Sequence, residues 1–468
     1  GKYLFEFSGR YDGTSRFSSK DRWGFFPSAS VGWRLSEESF LSSAKSWLSN
    51  LKVRYSYGNL GNQQVGYYDY IRTINIGTQT YLFGGNLPSS ASISAPVSSS
   101  LTWETVEHHN IGLDASFLDN RLNFTGEAYI RNTKDMLTAG IALPAVYGTS
   151  SPKMNSADMQ TKGYELTLGW QDMFKLAGKP FSYQVNVTFN DYTSKITKFN
   201  NPEKAFAKGY YEGMRIGEIW GYHIDGIFAT DEEAASYEVD QRNVNDIINS
   251  SSGSLKGLHA GDLRFADLDG DNRISTGENT VDKPGDRRII GNSEPRYQYG
   301  ANLAFQWCGF DFSIFFQGIG RMDWYPASEA ELFWGPFNRP YATFLPKNFL
   351  EKCWSEDNPD AYFPRPRAYV AYDNLNNQCR ELTAKNDRYL QNIGYCRLKN
   401  LTVGYTLPKN LTRIVGIDML RVYFSGENLA YWSGIKTDYI DPEQARRGGD
   451  LKVYPWQKTF TFGINVNF

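Results

Sequence analysis

The 468-residue sequence predicts an all-β protein, a segment of a transmembrane antiparallel β-barrel with long outer loops. Three observations carry that reading. Apolar and polar residues alternate over roughly twelve runs, each near the length a tilted strand needs to cross a bilayer. Short and long connections between those runs alternate almost strictly. Aromatic residues reach 16%, with Tyr 31 and Phe 30, enough to place rings at both bilayer interfaces.

The final run, "KTFTFGINVNF", shows the pattern most plainly. Phe460, Phe462, Ile464, Val466 and Phe468 are apolar, and Thr461, Gly463, Asn465 and Asn467 between them are small or polar. Successive strand side chains point to opposite faces, so the run has one apolar and one wet face. "FSYQVNVTFN" repeats it with Phe181, Tyr183, Val185, Val187 and Phe189. So does "RLNFTGEAYI", with Leu122, Phe124, Ala128 and Ile130. In "RYQYGANLAFQW", Tyr297, Tyr299, Ala301, Leu303, Phe305 and Trp307 share one face. One run breaks step: in "YCRLKNLTVGYTL", Cys396 and Leu398 take one parity, and Leu401, Val403, Tyr405 and Leu407 the other. That slip predicts a bulge near Lys399–Asn400.

The connections say what the apolar face meets. "LDNR" after Phe117 and "CG" after Trp307 are tight, while "QDMFKLAGKP" and "PKNLTRIVG" are moderate. Long polar connections are expected at Asn59–Thr102, Thr133–Thr161, Thr197–Pro295, Ile319–Asp387 and Ala430–Tyr454. Compact soluble domains rarely carry such loops, whereas outer-membrane barrels pair short turns on one side with long loops on the other. The apolar face is therefore expected to meet lipid. Mean hydropathy of −0.51 and the lack of an apolar run of about 18 residues speak against a helical span only. A net charge of −2 offers no basic footprint for nucleic acid. No GxSxG, HExxH, phosphate-binding or dinucleotide fingerprint recommends an enzyme. A first strand such as "KYLFEFSGRY" would leave backbone groups unpaired in lipid, so its second neighbour is expected from outside these residues.

The strongest local motif is "DLDGDNRISTGE" at 267–278, within the large outer connection 197–295. Asp267, Asp269 and Asp271 stand at positions one, three and five of a calcium-type loop, Arg273 offers a carbonyl at seven, and Ser275 and Glu278 follow at nine and twelve. Clustered carboxylates suit a hard cation, so a structural Ca2+ is expected there, against the plainer reading of a solvated acidic turn. Cys353 and Cys379 share one outer connection and could pair or stay free, while Cys308 and Cys396 are expected to pack as small hydrophobes. His108, His109, His223 and His259 show no metal spacing and receive no role. Trp220, Tyr222, Trp324, Tyr325, Trp334, Tyr431 and Trp432 fall near outer strand ends, where rings could stack on sugars or simply pack.

Several stretches add a resemblance. "RWGFFPSASVGWRLSEESFL", "LSNLKVRYSYGNLGNQ", "NIGLDASFLDNRLNFTGEAYIRNTKDML", "IWGYHIDGIF", "GDLRFADLDGDNRIS", "YCRLKNLTVGYTLP" and "NLAYWSGIKTDYIDPE" resemble the SusC/RagA-type TonB-dependent outer-membrane transporters. The resemblance implies the C-terminal part of a barrel of about 22 strands, with the plug, the TonB-contacting segment and roughly ten leading strands not among these residues. It implies import of an oligosaccharide, or of a peptide in some members. It also implies a SusD-like surface lipoprotein lid and energy from the TonB–ExbB–ExbD complex. Two rivals stand beside it: a self-contained porin-like barrel, and a soluble calcium-dependent carbohydrate-binding β-protein.

Overall fold

The computed structural model of the chain describes residues 1–98, 101–140, 144, 146, 148, 151–245, 257–338, 345–367, 381–447, 452–454 and 456–468. Twelve long strands run in order: β1 (Tyr3–Gly13), β2 (Trp23–Arg34), β3 (Leu48–Asn62), β4 (Glu104–Phe117), β5 (Leu122–Ala139) and β6 (Lys153–Leu176). Then follow β7 (Lys179–Lys198), β8 (Arg296–Trp307), β9 (Phe310–Arg321), β10 (Tyr395–Thr406), β11 (Met419–Ser433) and β12 (Thr459–Asn467). They form one 12-stranded antiparallel sheet in which sequence neighbours are spatial neighbours and β1 and β12 are the edges. Among the described residues no helix is long and apolar enough to cross a membrane.

Contacts divide the chain into two compact units, Gly1–Leu168 with Asn190–Arg215, and Gly169–Phe189 with Ile216–Phe468. In the first unit, register aligns Phe5, Val31, Tyr55, Ile111 and Ala128 across β1 to β5 as one apolar row. In the second, Phe305, Phe312, Val403, Phe424 and Phe462 make the equivalent row across β8 to β12. Alternation in the sequence thus becomes a continuous apolar face once register is set.

The bulge falls where the parity slip predicts it. Asn400 pairs with Phe315 and Leu398 with Phe316, leaving Lys399 as the extra residue. Cys396 and Leu398 therefore stay on the same face as Leu401, Val403 and Tyr405, although their parity differs.

Two expected connections are corrected. "QDMFKLAGKP" is not a loop: the strands continue to Leu176 and from Lys179, joined only by Ala177 and Gly178 at φ 49 and 78. Both positive values mark a tight hairpin turn whose twist matches the strands, and Cys308 and Gly309 at φ 51 and 87 repeat it. The connection expected at Thr133–Thr161 is mostly strand, because β5 runs to Ala139 and β6 starts at Lys153. There the Asn155 amide donates to the carbonyls of Thr102 and Asp135 at 2.9 and 2.7 Å, which extends pairing past the stretch a bilayer needs.

Rings gather toward the short-connection end. Phe174, Phe181, Phe305 and Phe312 follow one another at centroid distances of 5.2, 5.8 and 5.0 Å, the first pair tilted and the other two stacked, and Phe310 meets Tyr405 at 4.6 Å. In the first unit, Trp47 lies parallel to Phe117 at 6.0 Å. Such belts suit the polar edge of a bilayer.

Candidate functional site

The face opposite the apolar rows carries charge, and two clusters on it are paired. In the first unit, Arg54 on β3 donates to Asp114 at 3.2 Å and to Glu127 on β5, while Asn110 donates to Glu127 at 2.7 Å. In the second, Arg421 on β11 donates twice to Asp311 on β9 at 2.8 and 2.5 Å. Both pairs reach across an intervening strand at a glycine. A Cβ on Gly112 would lie 2.6 Å from the Arg54 guanidinium carbon, and one on Gly404 would lie 2.4 Å from Asp311. The missing side chain opens the path that the ion pair takes. At both places the polar face carries paired charge.

The bulge serves this same face. Arg397, 2% exposed, donates to both oxygens of Asp441 at 2.7 and 2.6 Å, and Lys399 donates to Glu443 at 2.9 Å. Two bases on β10 thereby hold the start of the last long connection against the sheet.

The connections expected to be polar contain the largest buried cluster of the second unit. Tyr222, Phe265, Phe333, Trp334, Phe363 and Tyr389 belong to it and come from two connections far apart in sequence. The aromatic candidates sort accordingly. Tyr222 and Trp334 are buried, Trp334 donating to the Ala327 carbonyl at 2.8 Å, and Tyr325 donates to the Leu382 carbonyl at 2.8 Å. Trp324 and Tyr325 pack against the cluster, and Trp220 is half-buried on a short strand paired with Arg288–Asn292. Tyr431 faces Arg397, whose guanidinium sits 4.9 Å from its ring, and Trp432 pairs with Cys396 on the apolar face. Packing claims most of these rings.

The acidic loop folds partly as its spacing predicts. Asp267 accepts from the amides of Gly270 and Asn272 at 2.7 and 2.8 Å, with Asn272 left-handed at φ 60. Asp267 and Asp269 come together, but their third partner is Asp286, a residue outside the predicted set, all three offering oxygens within 4.8 Å of one another. Asp271 instead caps the amide of Arg273 at 2.8 Å, and Glu278 accepts from Lys283 at 2.5 Å. Ser275 supplies its amide to Asp286 at 2.7 Å, and the backbone at Arg273 bridges Asp240. After Ser275 the chain turns into a hairpin in which Gly277 and Gly285 pass backbone to backbone, and this return delivers Asp286. Burial first, with the charges of Asp269 and Asp267, pushes the Asp286 carboxyl above its usual range despite amide donors from Ser275 and Leu268. A cation would relieve that strain on the charged form.

Two further polar groups were invisible to spacing. Glu381 and Asp262, each 1% exposed, share the neighbourhood of Arg367, which donates to Asp262 at 2.7 Å. Glu381 accepts from the Leu263 amide at 2.7 Å; burial and the Asp262 charge push it up to about 8. His223 meets Asp387 at 2.5 Å across 164 residues, and Asp387 also accepts from Arg288 at 2.9 Å. Cys353 is buried, with its thiol 3.5 Å from the Phe349 carbonyl, and Cys379 lies outside the described residues.

The first unit presents the reverse of a core in its longest connection. A hairpin of Ile74–Thr78 with Ser89–Ile93 leaves Ile74, Ile76, Leu82, Phe83 and Ile93 exposed, Ile76 by 81%. Exposed apolar patches of this kind mark interaction surfaces.

The model of the TonB dependent receptor-like beta-barrel family matches residues 1–429. The chain is 29% identical over 494 residues to TonB-dependent receptor P3 of Formosa agariphila, covering all of this chain and 44% of that protein. It is 26% identical to TonB-dependent receptor SusC of Bacteroides thetaiotaomicron, again over its whole length and 42% of the relative. Among solved structures, the RagAB peptide transporter aligns over the whole chain and 46% of its own length, at a TM-score of 0.72 and 23% identity. The chain thus spans less than half the length of the curated relatives it matches.

Proposed function

The chain belongs to the TonB-dependent receptor β-barrel family of outer-membrane proteins, and from that premise we propose that it forms the wall and outer loops of an active nutrient importer. The observation that carries this is the two-faced sheet, with unbroken apolar rows on one side and neutralised, hydrogen-bonding polar groups on the other. We assign an oligosaccharide as cargo. The support is the inner face itself, where Arg54 and Arg421 are matched by carboxylates, which favours a hydroxyl-rich neutral chain over a charged one. The outer aromatic rings lend little support, since most of them pack.

A SusD-like surface lipoprotein is the proposed lid, and the exposed apolar hairpin around Ile76 and Phe83 is its proposed seat. Energy would come from TonB–ExbB–ExbD through a plug outside these residues. The same reading places a structural Ca2+ on Asp267, Asp269 and Asp286, pinning the outer connection.

Uptake by cells that carry or lack the gene tests the proposal, using labelled oligosaccharide and peptide panels with and without a protonophore. Protonophore-sensitive oligosaccharide uptake that requires the gene supports it. Energy-independent entry supports the porin-like alternative, and gene-dependent uptake of peptides alone overturns the cargo assignment.

A further inference from the structure

We propose that the connection between β10 and β11 is a membrane foot, seated in the anionic phospholipid headgroup layer at the short-connection end of the sheet. Its sequence, "LPKNLTRIVGID", forms a helical turn at Lys409–Thr412 followed by a tighter turn at Arg413–Val415. The turn is fixed rather than loose. The amides of Leu411 and Thr412 donate to the Pro408 carbonyl at 3.0 and 3.4 Å, and Thr412 is 2% exposed. Gly416, left-handed at φ 72, lets the Ile417 amide return to the Thr412 carbonyl at 3.1 Å.

An ordered turn could have tucked its aliphatic side chains inward. This one turns three of them out: Leu411, Ile414 and Val415 are 54%, 79% and 68% exposed. Their spacing of three and four residues puts them on one side of the turn. Lys409 and Arg413, four residues apart, lie together on another, and neither forms an ion pair among the described residues. Asp418 is the sole acidic residue between Leu407 and Asp418.

Two features single out lipid as the occupant. The strands entering and leaving the turn carry Val403, Tyr405 and Val422 on the apolar face, so the turn borders the surface that meets lipid. Unanswered cations beside an apolar ridge match phosphate oxygens above acyl chains, the composition of interfacial segments. Leu411, Ile414 and Val415 enter among the upper acyl carbons, while Lys409 and Arg413 hold phosphates.

The proposal rests on the membrane placement of the sheet, which a label at Phe462 reports separately. The protein, isolated at its natural length and placed in nanodiscs of phosphatidylethanolamine and phosphatidylglycerol, is spin-labelled at Ile414→Cys or Phe462→Cys. Each carries Cys308→Ser, and the signal of Cys308→Ser alone is subtracted. The foot requires oxygen to outcompete a nickel chelate at 414 as it does at 462. Chelate dominance at 414 with oxygen dominance at 462 overturns the foot, and shielding of 414 from both reagents assigns the ridge to a protein partner instead. Chelate dominance at 462 strikes the membrane placement and the foot with it. Independently, Lys409→Gln and Arg413→Gln should each lower co-purified phosphatidylglycerol relative to phosphatidylethanolamine by roughly fivefold. An unchanged ratio overturns the headgroup contact.

Discussion

Phe462 in the sheet and Trp334 in a connection are both large and apolar, yet the first is 81% exposed and the second fully buried. The sheet sends its apolar rows outward and keeps Arg54, Asp114 and Glu127 on the other side, while the connections wrap Phe333, Phe363 and Tyr389 around one another. A soluble protein does the opposite, covering its sheet and leaving its loops wet. The difference teaches that two solvents act on this chain: lipid receives the strand side chains, and water drives the connections to build a core of their own.

The largest effect should come from attacking that second core. Trp334→Ala should cost about 3–5 kcal/mol locally, as for buried aromatic truncations generally. Proteolysis should then accelerate within the connections 216–245 and 381–394, while heat-modifiable migration of the barrel in SDS is unchanged. If both fail together, the connections and the sheet are one cooperative unit and the contrast is lost.

Next in size is a charge placed on either side of one strand. Leu401→Arg, on the apolar face and further from the aromatic belt, should cost about 2–4 kcal/mol, the range for a cation toward the bilayer midplane, and should lower the temperature at which SDS resistance is lost. Thr402→Arg, one residue away on the polar face, should change that temperature little. Equal losses would contradict the assignment of faces.

Acidity probes the connections alone. Glu381 is raised to about 8, above the value of the unfolded chain, so the native state holds the proton more tightly. Its stabilisation is complete at low pH, below the unfolded carboxyl value, and is lost as pH rises through about 8. Exchange of the Leu263 amide, which donates to Glu381, should quicken between pH 6 and 9 beyond the intrinsic rate. Glu381→Gln should abolish that extra dependence.

The smallest effect concerns the acidic loop. A site with Kd near 1 mM in 10 mM calcium stabilises by about 1.4 kcal/mol. Calcium should therefore slow proteolysis around Asp267–Asp286, Asp269→Asn should remove that protection, and Glu278→Gln should keep it. Loss in Glu278→Gln would restore the ligand set read from spacing alone.

What the sequence determined is whatever depends on neighbours a few residues apart. Alternation alone gave the strands, the apolar face and even the bulge at Lys399, because side-chain direction along a strand has a period of two. The same local logic placed Asp267 and Asp269 together. It failed at "QDMFKLAGKP", where Ala177 adopts a positive φ that its identity does not announce. Tertiary structure decided the rest. Gly112 and Gly404 read as unremarkable strand residues until register laid Arg54 and Asp311 across them. Asp286 joins Asp267 and Asp269 because a hairpin returns the chain, and His223 meets Asp387 across 164 residues. The aromatic core in the connections has no period to read, since its residues come from separate irregular segments. Their only shared property is the water they exclude together, and that exists only once the chain has folded.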